Sequence, residues 1–142
     1  MGSILCGSNE FIEGAHKWRK MVGGGMRQAG VLAAAGLVAL DNMVERLADD
    51  HSNAKKLAEG LANIEGISVD PTSIQTNIVI FEVSESAGNA SAIINELSHE
   101  GVLVTYPGQQ SLRMVTHRHI SASDIDEALS RVAKVMTKMN SK

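Results

Sequence analysis

The spacing of apolar residues predicts a strand and then a helix at the start of the chain. Residues 1–8 are typical of a short strand that ends in Gly-Ser. Ser8 or Asn9 can cap a helix from Glu10 to about Met21, because apolar residues recur there at helical spacing. Three glycines follow. Each costs a helix about 1 kcal/mol relative to alanine, so they indicate backbone freedom or close approach.

Residues 28–64 predict one long helix, because apolar side chains recur at steps of three and four. About 35 helical residues span roughly 50 Å, which is longer than a compact domain of this size is wide. The first third is small and apolar on every side, which is typical of a helix that is buried all round. We therefore expect this helix to connect to another part of a larger assembly.

Residues 65–142 predict a small α/β domain, because short strands and helices alternate. The expected elements are a strand over residues 76–83 with Val79, Phe81 and Val83 inward, a helix over 90–100 ended by Gly101, strands over 102–105 and 111–115 joined by Pro107-Gly108, and a last helix capped by residues 121–124. The pattern thus divides the chain into residues 1–27, 28–64 and 65–142.

Composition excludes several classes of protein. The 142 residues are 44% hydrophobic and 20% charged, which is the balance of a folded domain. A net charge of −3 and 3% aromatic residues give no basis for binding nucleic acid or an anionic membrane. The longest apolar run, residues 31–40, is too short to span a bilayer. The single cysteine, Cys6, is expected to be a buried strand residue in a cytoplasmic protein.

Motifs for metals and nucleophiles are sparse. His117 and His119 fall on one side of an extended segment, but no third ligand follows at close spacing, so no metal site is predicted. Asp49, Asp50 and His51 are expected to form a solvated helix face.

Two groups of cations are candidates for binding anions. Lys20 lies in a basic helix end before the glycines, and Arg27 follows them at the start of the long helix, where free N–H groups attract anions. The alternative is that these cations only satisfy the helix dipole. Arg113 lies in an apolar strand with Leu112 and Met114 on the opposite face. Its partner is either a carboxylate ligand bound bidentately or an internal acidic side chain.

Several of these segments resemble one enzyme family. Residues 23–36, Gly-Gly-Gly-Met-Arg-Gln-Ala-Gly-Val-Leu-Ala-Ala-Ala-Gly, are preceded by Trp-Arg-Lys-Met and followed later by Glu-Arg-Leu-Ala-Asp-Asp-His. Residues 76–78, Thr-Asn-Ile, and residues 112–117, Leu-Arg-Met-Val-Thr-His, add to the pattern. Together they closely resemble the low-specificity L-threonine aldolases over essentially the whole chain.

The resemblance implies a lyase of the aspartate-aminotransferase fold type that uses pyridoxal phosphate to split β-hydroxy-α-amino acids into glycine and an aldehyde. It implies that Arg113 binds the substrate carboxylate, and that Lys20 and Arg27 lie near the cofactor phosphate at a subunit interface. Residues 1–27 would then be a remnant of the large cofactor domain, residues 28–64 the connecting helix, and residues 65–142 the small domain.

One departure from the family concerns the Schiff-base lysine, which the family carries shortly before the position of Gly2-Ser3. No lysine of this chain matches that position, so we expect no catalytic residue here and no stable cofactor binding by the chain alone. Two interpretations follow. The chain is a fragment of an aldolase that needs the missing N-terminal cofactor domain, or it is a stand-alone binding or oligomerisation module. Self-association as a homodimer or tetramer would cover its apolar helix.

Overall fold

The computed structural model describes residues 4–141 and divides the chain into two compact units, Met1–Glu45 and Arg46–Lys142. We call them unit 1 and unit 2. The described part of unit 1 is helical, and unit 2 contains both helices and strands. Within the described residues, no helix combines the length and hydrophobicity that a membrane span requires.

Unit 1 consists of two helices, α1 (Asn9–Met21) and α2 (Gly30–Asn42). The predicted helix α1 is confirmed, and the Ser8 hydroxyl caps it by accepting a hydrogen bond from Phe11 N at 3.3 Å. The strand predicted over residues 1–8 is wrong where it is described: residues 4–8 form no strand, and residues 1–3 lie outside the described residues. Between residues 4 and 45, no other strand is available to pair with this segment. Cys6, expected to be buried, is therefore exposed.

The single helix predicted over residues 28–64 is also wrong. The structure has two helices there, because α2 ends at Asn42 and α3 (Leu47–Leu61) begins after a turn. The break between the two helices coincides with a change in the distribution of their apolar residues. α2 is apolar on all sides, whereas α3 is amphipathic and starts with acidic residues in its first turn, which favour a helix N-terminus. Helical periodicity continues across the turn, so periodicity alone does not reveal it.

Unit 2 is an antiparallel sheet packed on one side by helices. After α3 it contains β1 (Ile67–Ser68), β2 (Ile78–Val83), α4 (Ala90–His99), β3 (Thr105–Gly108), β4 (Ser111–Val115) and α5 (Ala122–Asn140). The strands are ordered β1-β2-β4-β3. All neighbouring pairs are antiparallel.

The core of unit 2 lies between one face of this sheet and the helices. Along β2 the side chains alternate as predicted, with Val79, Phe81 and Val83 buried and the intervening residues exposed. The core is completed by buried residues of α3, α4 and α5, among them Leu57, Leu61, Ile93, Leu97, Val132, Val135 and Met136. The other face of the sheet carries no helix of unit 2, and its side chains reach the surface.

The predicted hairpin is present, but with shifted bounds. Its first strand is residues 105–108 rather than 102–105, and its turn is Gln109-Gln110 rather than Pro107-Gly108. Val102 is unavailable to the sheet because its N–H donates to Leu97 O at 2.8 Å and closes α4. Gln109 adopts a positive φ of 48°, which a tight two-residue hairpin turn requires at this position.

Both helix-end signals in unit 2 are confirmed. Gly101, which follows the C-cap residue Glu100 of α4, takes a φ of +79°, which glycine adopts at little cost. Ser121 and Asp124 form a reciprocal capping box at the start of α5. These local signals fix where α4 stops and α5 starts, and thereby where β3 and β4 lie between them.

Candidate functional site

Arg113 lies on the open face of the unit 2 sheet. Leu112 and Met114, its neighbours along β4, are buried, and Arg113 is exposed between them. Across the sheet it is in register with Ile80 of β2 and with Thr105 of β3. The predicted orientation of Arg113 is therefore confirmed, and it places the guanidinium on the side away from the helices.

The hydrogen bonds of Arg113 use only part of its guanidinium. Nε donates to Thr105 Oγ1 at 3.0 Å, and that hydroxyl donates in turn to Arg113 O at 3.3 Å. Among the described residues, none of the ion pairs includes Arg113, and neither Nη atom donates a hydrogen bond. An internal acidic partner of Arg113, one of the two possibilities that the sequence left open, is thus absent among the described residues. The N–H donors of both Nη atoms are unused there.

The surroundings of Arg113 are apolar. Ile78, Ile80 and Val115 share its face and are 42%, 51% and 43% exposed. Such partly exposed aliphatic side chains next to one cation are typical of a surface that another structure covers. We call Ile78, Ile80, Arg113 and Val115 the Arg113 face. Once covered, the face would strengthen an ion pair with a carboxylate, because the local dielectric constant falls.

A second candidate lies in unit 1, where α1 ends. Gly24 N donates to Arg19 O at 2.8 Å and Gly23 N donates to Lys20 O at 3.1 Å, which is the hydrogen-bond pattern of a Schellman motif. Gly23 has a φ of +88°, which only glycine adopts readily. This turn brings the Lys20 ammonium back over the loop, so that a Cβ built on Gly25 would lie 3.4 Å from Nζ.

Arg27 lies between this turn and α2. It is exposed, and the following helix starts at Gly30 without a side-chain cap. Among the described residues, neither Lys20 nor Arg27 forms an ion pair with an acidic side chain. Both cations are in unit 1, whereas Arg113 is in unit 2.

A buried polar network, which the sequence does not reveal, holds the end of β4. Thr116 Oγ1 donates to Asp50 O at 2.7 Å, Thr116 N donates to Asn77 O at 3.0 Å, and Asn77 Nδ2 donates to Thr116 O at 2.8 Å. Asn77 and Thr116 belong to the two short segments that support the family resemblance. The only sign of this network in the sequence is that both are polar residues next to the end of an apolar strand. The network ties β4 to α3 only three residues beyond Arg113.

Asp50 is part of the same network. Its carboxylate, expected to lie on a solvated face, is buried and accepts two hydrogen bonds from Arg46, at 2.8 and 3.1 Å. The hydrogen bond to Asp50 raises the pKa of the Arg46 guanidinium above its ordinary value. Asp50 is paired because Arg46 lies one helical turn before it, and the solvated face predicted from helical periodicity is wrong at this residue.

The two histidines after β4 form a ring contact. His117 and His119 lie edge to face with ring centroids 5.7 Å apart, and His119 N donates to His117 Nδ1 at 3.3 Å. Within the described residues, no group of three or more metal-ligating side chains occurs.

Comparison with known proteins extends the resemblance found in the sequence. The model of the beta-eliminating lyase family matches residues 1–84. The chain is 39% identical to low-specificity L-threonine aldolase 1 of Arabidopsis thaliana, over 98% of this chain and 39% of that protein. It is 40% identical to the low specificity L-threonine aldolase of Escherichia coli O157:H7, over 89% of this chain and 36% of the relative. The chain thus spans less than two-fifths of the length of these relatives.

Solved structures show the same relationship at the level of the fold. A complex of the cystine C-S lyase C-DES with cysteine persulfide superimposes with a TM-score of 0.60 at 23% identity, covering 74% of this chain and 28% of that one. Ornithine delta-aminotransferase of Plasmodium falciparum gives a TM-score of 0.55 at 14% identity, covering 69% of this chain and 26% of that one. The predicted fold class, part of a subunit of PLP fold type I, is confirmed. Because the family model matches more than half of its residues, the chain belongs to the beta-eliminating lyase family.

Proposed function

We propose that this chain supplies the C-terminal portion of a pyridoxal-phosphate-dependent low-specificity L-threonine aldolase, which cleaves β-hydroxy-α-amino acids to glycine and an aldehyde. The names of its relatives support the substrate class, and the match to one of them extends over 98% of the chain. Because those relatives are more than twice as long, the proposed activity is one of the complete subunit and not of this chain alone.

Arg113 carries the proposal. Its exposed guanidinium has both Nη atoms unused among the described residues, and partly exposed aliphatic side chains flank it. An α-amino acid presents a carboxylate, which a guanidinium binds through two parallel N–H···O bonds. We propose that Arg113 binds and orients this carboxylate, so that the rest of the substrate points in one direction.

Lys20 and Arg27 are proposed to neutralise the cofactor phosphate, at an interface between subunits. The arrangement suits a phosphate group. Lys20 Nζ lies close to Gly25, so the bare glycine backbone leaves room beside the ammonium, and Arg27 follows on the same loop. Two cations next to glycines and to the uncapped start of α2 provide positive charge and free N–H donors for an anion.

Pyridoxal phosphate, when bound to the complete subunit, supplies the electron sink for cleavage of the bond between Cα and Cβ. By resemblance, the lysine that holds the cofactor covalently has no counterpart among the lysines of this chain. We therefore propose that the chain alone binds the cofactor only weakly and is inactive. In the complete subunit, its proposed contribution is to bind two anionic groups, the carboxylate of the substrate and the phosphate of the cofactor.

The apolar helix α2 is proposed to pack against the cofactor-binding portion. Val31, Leu37, Val38 and Leu40 are between 57% and 71% exposed, and none of the helix is buried by the described residues. Burial of one such side chain contributes about 1.5 to 3 kcal/mol. In the absence of the cofactor-binding portion, the same surface is proposed to drive association of the chain with a second copy.

A reconstitution experiment tests the proposal. The chain is co-expressed with the N-terminal three-fifths of the Arabidopsis relative, which this chain does not cover, and glycine release from L-threonine is measured with added pyridoxal phosphate. We expect activity from the two parts together and from neither part alone. A stable complex that shows no aldol cleavage would contradict the proposal and would favour a non-catalytic binding module.

A further inference from the structure

Thr105 is the one side chain among the described residues that fixes the Arg113 guanidinium. The two residues are directly opposite each other on β3 and β4. The Thr105 hydroxyl accepts a hydrogen bond from Arg113 Nε at 3.0 Å and donates its own hydrogen to Arg113 O at 3.3 Å. The single hydrogen of the hydroxyl is used by the carbonyl, and one of the lone pairs of its oxygen accepts the hydrogen of Nε. The two bonds therefore hold the base of the guanidinium against the strand.

This contact limits how Arg113 can bind a carboxylate. A guanidinium offers two bidentate edges, one formed by Nε with one Nη and the other formed by both Nη atoms. With Nε bound to Thr105, one of the two donors of the first edge is already used. Only the edge formed by Nη1 and Nη2 has both of its donors available.

The other polar groups of the face do not provide an alternative restraint. Glu82 lies on the same face of β2, but its register partner in β4 is Ser111 and not Arg113. The described residues form no ion pair between Glu82 and Arg113. Ile80, the other register partner of Arg113, has no hydrogen-bonding side chain.

We propose that Thr105 is a positioning residue, which orients Arg113 so that it binds the α-carboxylate through Nη1 and Nη2. This inference rests on the proposed function of Arg113. Thr105 itself does not touch the substrate. Its hydroxyl reduces the number of orientations that Arg113 samples, and a preorganised donor pair binds its ligand more tightly than a mobile one.

The orientation is tested first on the chain alone, by NMR of the arginine Nε–H groups. The Arg113 resonance is assigned by its absence from the Arg113→Lys spectrum. We expect it to be protected from solvent exchange in the wild type and in Thr105→Ser, and to lose this protection in Thr105→Val. Thr137→Val removes an exposed hydroxyl on α5 that bonds only within its own helix, and should leave the resonance unchanged. An unaltered Arg113 resonance in Thr105→Val would overturn the inference.

Binding is then measured on the same samples with acetate as the carboxylate probe. We expect Thr105→Val to weaken acetate binding at Arg113 about tenfold, which is the loss associated with one hydrogen bond to a charged group, while Thr105→Ser and Thr137→Val bind as the wild type does. Equal acetate affinities in the wild type and Thr105→Val would also overturn the inference.

Kinetics of the reconstituted enzyme separate this inference from the proposed function. Thr105→Val should raise KM for L-threonine about tenfold and change kcat by less than about twofold, and Thr105→Ser should restore KM. If acetate binding depends on Thr105 but KM does not, the positioning role stands, and the assignment of Arg113 to the substrate carboxylate fails.

Discussion

The two units of this chain differ in whether their apolar side chains are buried. Every hydrophobic side chain that is buried within the described residues lies in unit 2, between its sheet and its helices. Unit 1 contains the most apolar helix of the chain, yet neither α1 nor α2 has a buried residue. Hydrophobic composition therefore does not by itself produce a core. A core requires a second surface, which unit 2 contains and unit 1 lacks in this part of the chain.

Helices α2 and α3 show the difference most directly. Both are of similar length, but α3 places Leu57 and Leu61 against the sheet and exposes its charged residues. α2 has no polar face to expose, which is typical of a helix buried on all sides. We therefore expect unit 2 to be stable without a partner, and we propose that unit 1 acquires its packing from the cofactor-binding portion.

The largest expected effect is on the core of unit 2. Phe81→Ala should reduce the free energy of unfolding by about 3 to 5 kcal/mol, because it removes a buried ring and leaves a cavity. Leu40→Ala in the exposed helix α2 should change it by less than about 0.5 kcal/mol in the chain alone. Urea unfolding monitored by the methyl resonances of unit 2 measures both. A loss at Leu40 as large as that at Phe81 would abolish the distinction between the units.

The next effect concerns function rather than stability. In the reconstituted enzyme, Arg113→Lys should lower kcat/KM about 100-fold, because lysine retains the charge but not the two parallel donors. Thermal stability should stay close to that of the wild type, since Arg113 is exposed. Arg118→Lys is the matched control and should have little effect on either quantity. A lower melting temperature with unchanged kcat/KM would make Arg113 a structural residue.

A smaller loss of folding free energy is expected at the polar network at the end of β4. Thr116→Val keeps the shape of the side chain but removes its hydrogen bond to Asp50 O, which should cost about 0.5 to 1.5 kcal/mol. Thr137→Val, on an exposed surface, should cost less than about 0.5 kcal/mol. The same urea titration compares them. Equal stabilities would mean that the network does not anchor β4.

The smallest effect is the response of unit 2 to acid. Hydrogen bonds from Thr72 to Asp70, and from Ser121 to Asp124, lower the pKa of each carboxyl. A lowered pKa in the folded state stabilises the fold above the pKa of the unfolded chain, about 4, and this contribution is lost as pH falls through the folded value. Stability should thus decrease below about pH 4, and less steeply in Asp124→Asn. Identical pH dependence in the two proteins would exclude a contribution from the capping box.

Much of this fold was predictable because its signals are local. The glycines after α1 and α4, the Ser121 capping box and the alternation along β2 each act over a few residues, and all four are observed. The orientation of Arg113 followed from the same alternation.

The errors arose where hydrophobic periodicity does not determine the outcome. Helical periodicity continues through residues 43–46, so the turn between α2 and α3 is not visible in the pattern. The burial of Asp50 and the use of Thr116 depend on residues more than sixty positions away along the chain. The hairpin shifted because Val102 is engaged by the end of α4. Thr105 became recognisable only when the register of β3 and β4 was known.

We propose that α2, which has no buried residue among those described, packs against the cofactor-binding portion in the complete subunit. Amide hydrogen exchange of residues Gly30–Asn42, compared with Leu47–Leu61, tests it most directly. In the dilute chain alone, the α2 amides should exchange far faster than those of α3. In the reconstituted complex, the two helices should be protected to a similar extent. Strong protection of α2 in a monomeric chain without the cofactor-binding portion would show that α2 is stably folded without this partner and would overturn the proposal.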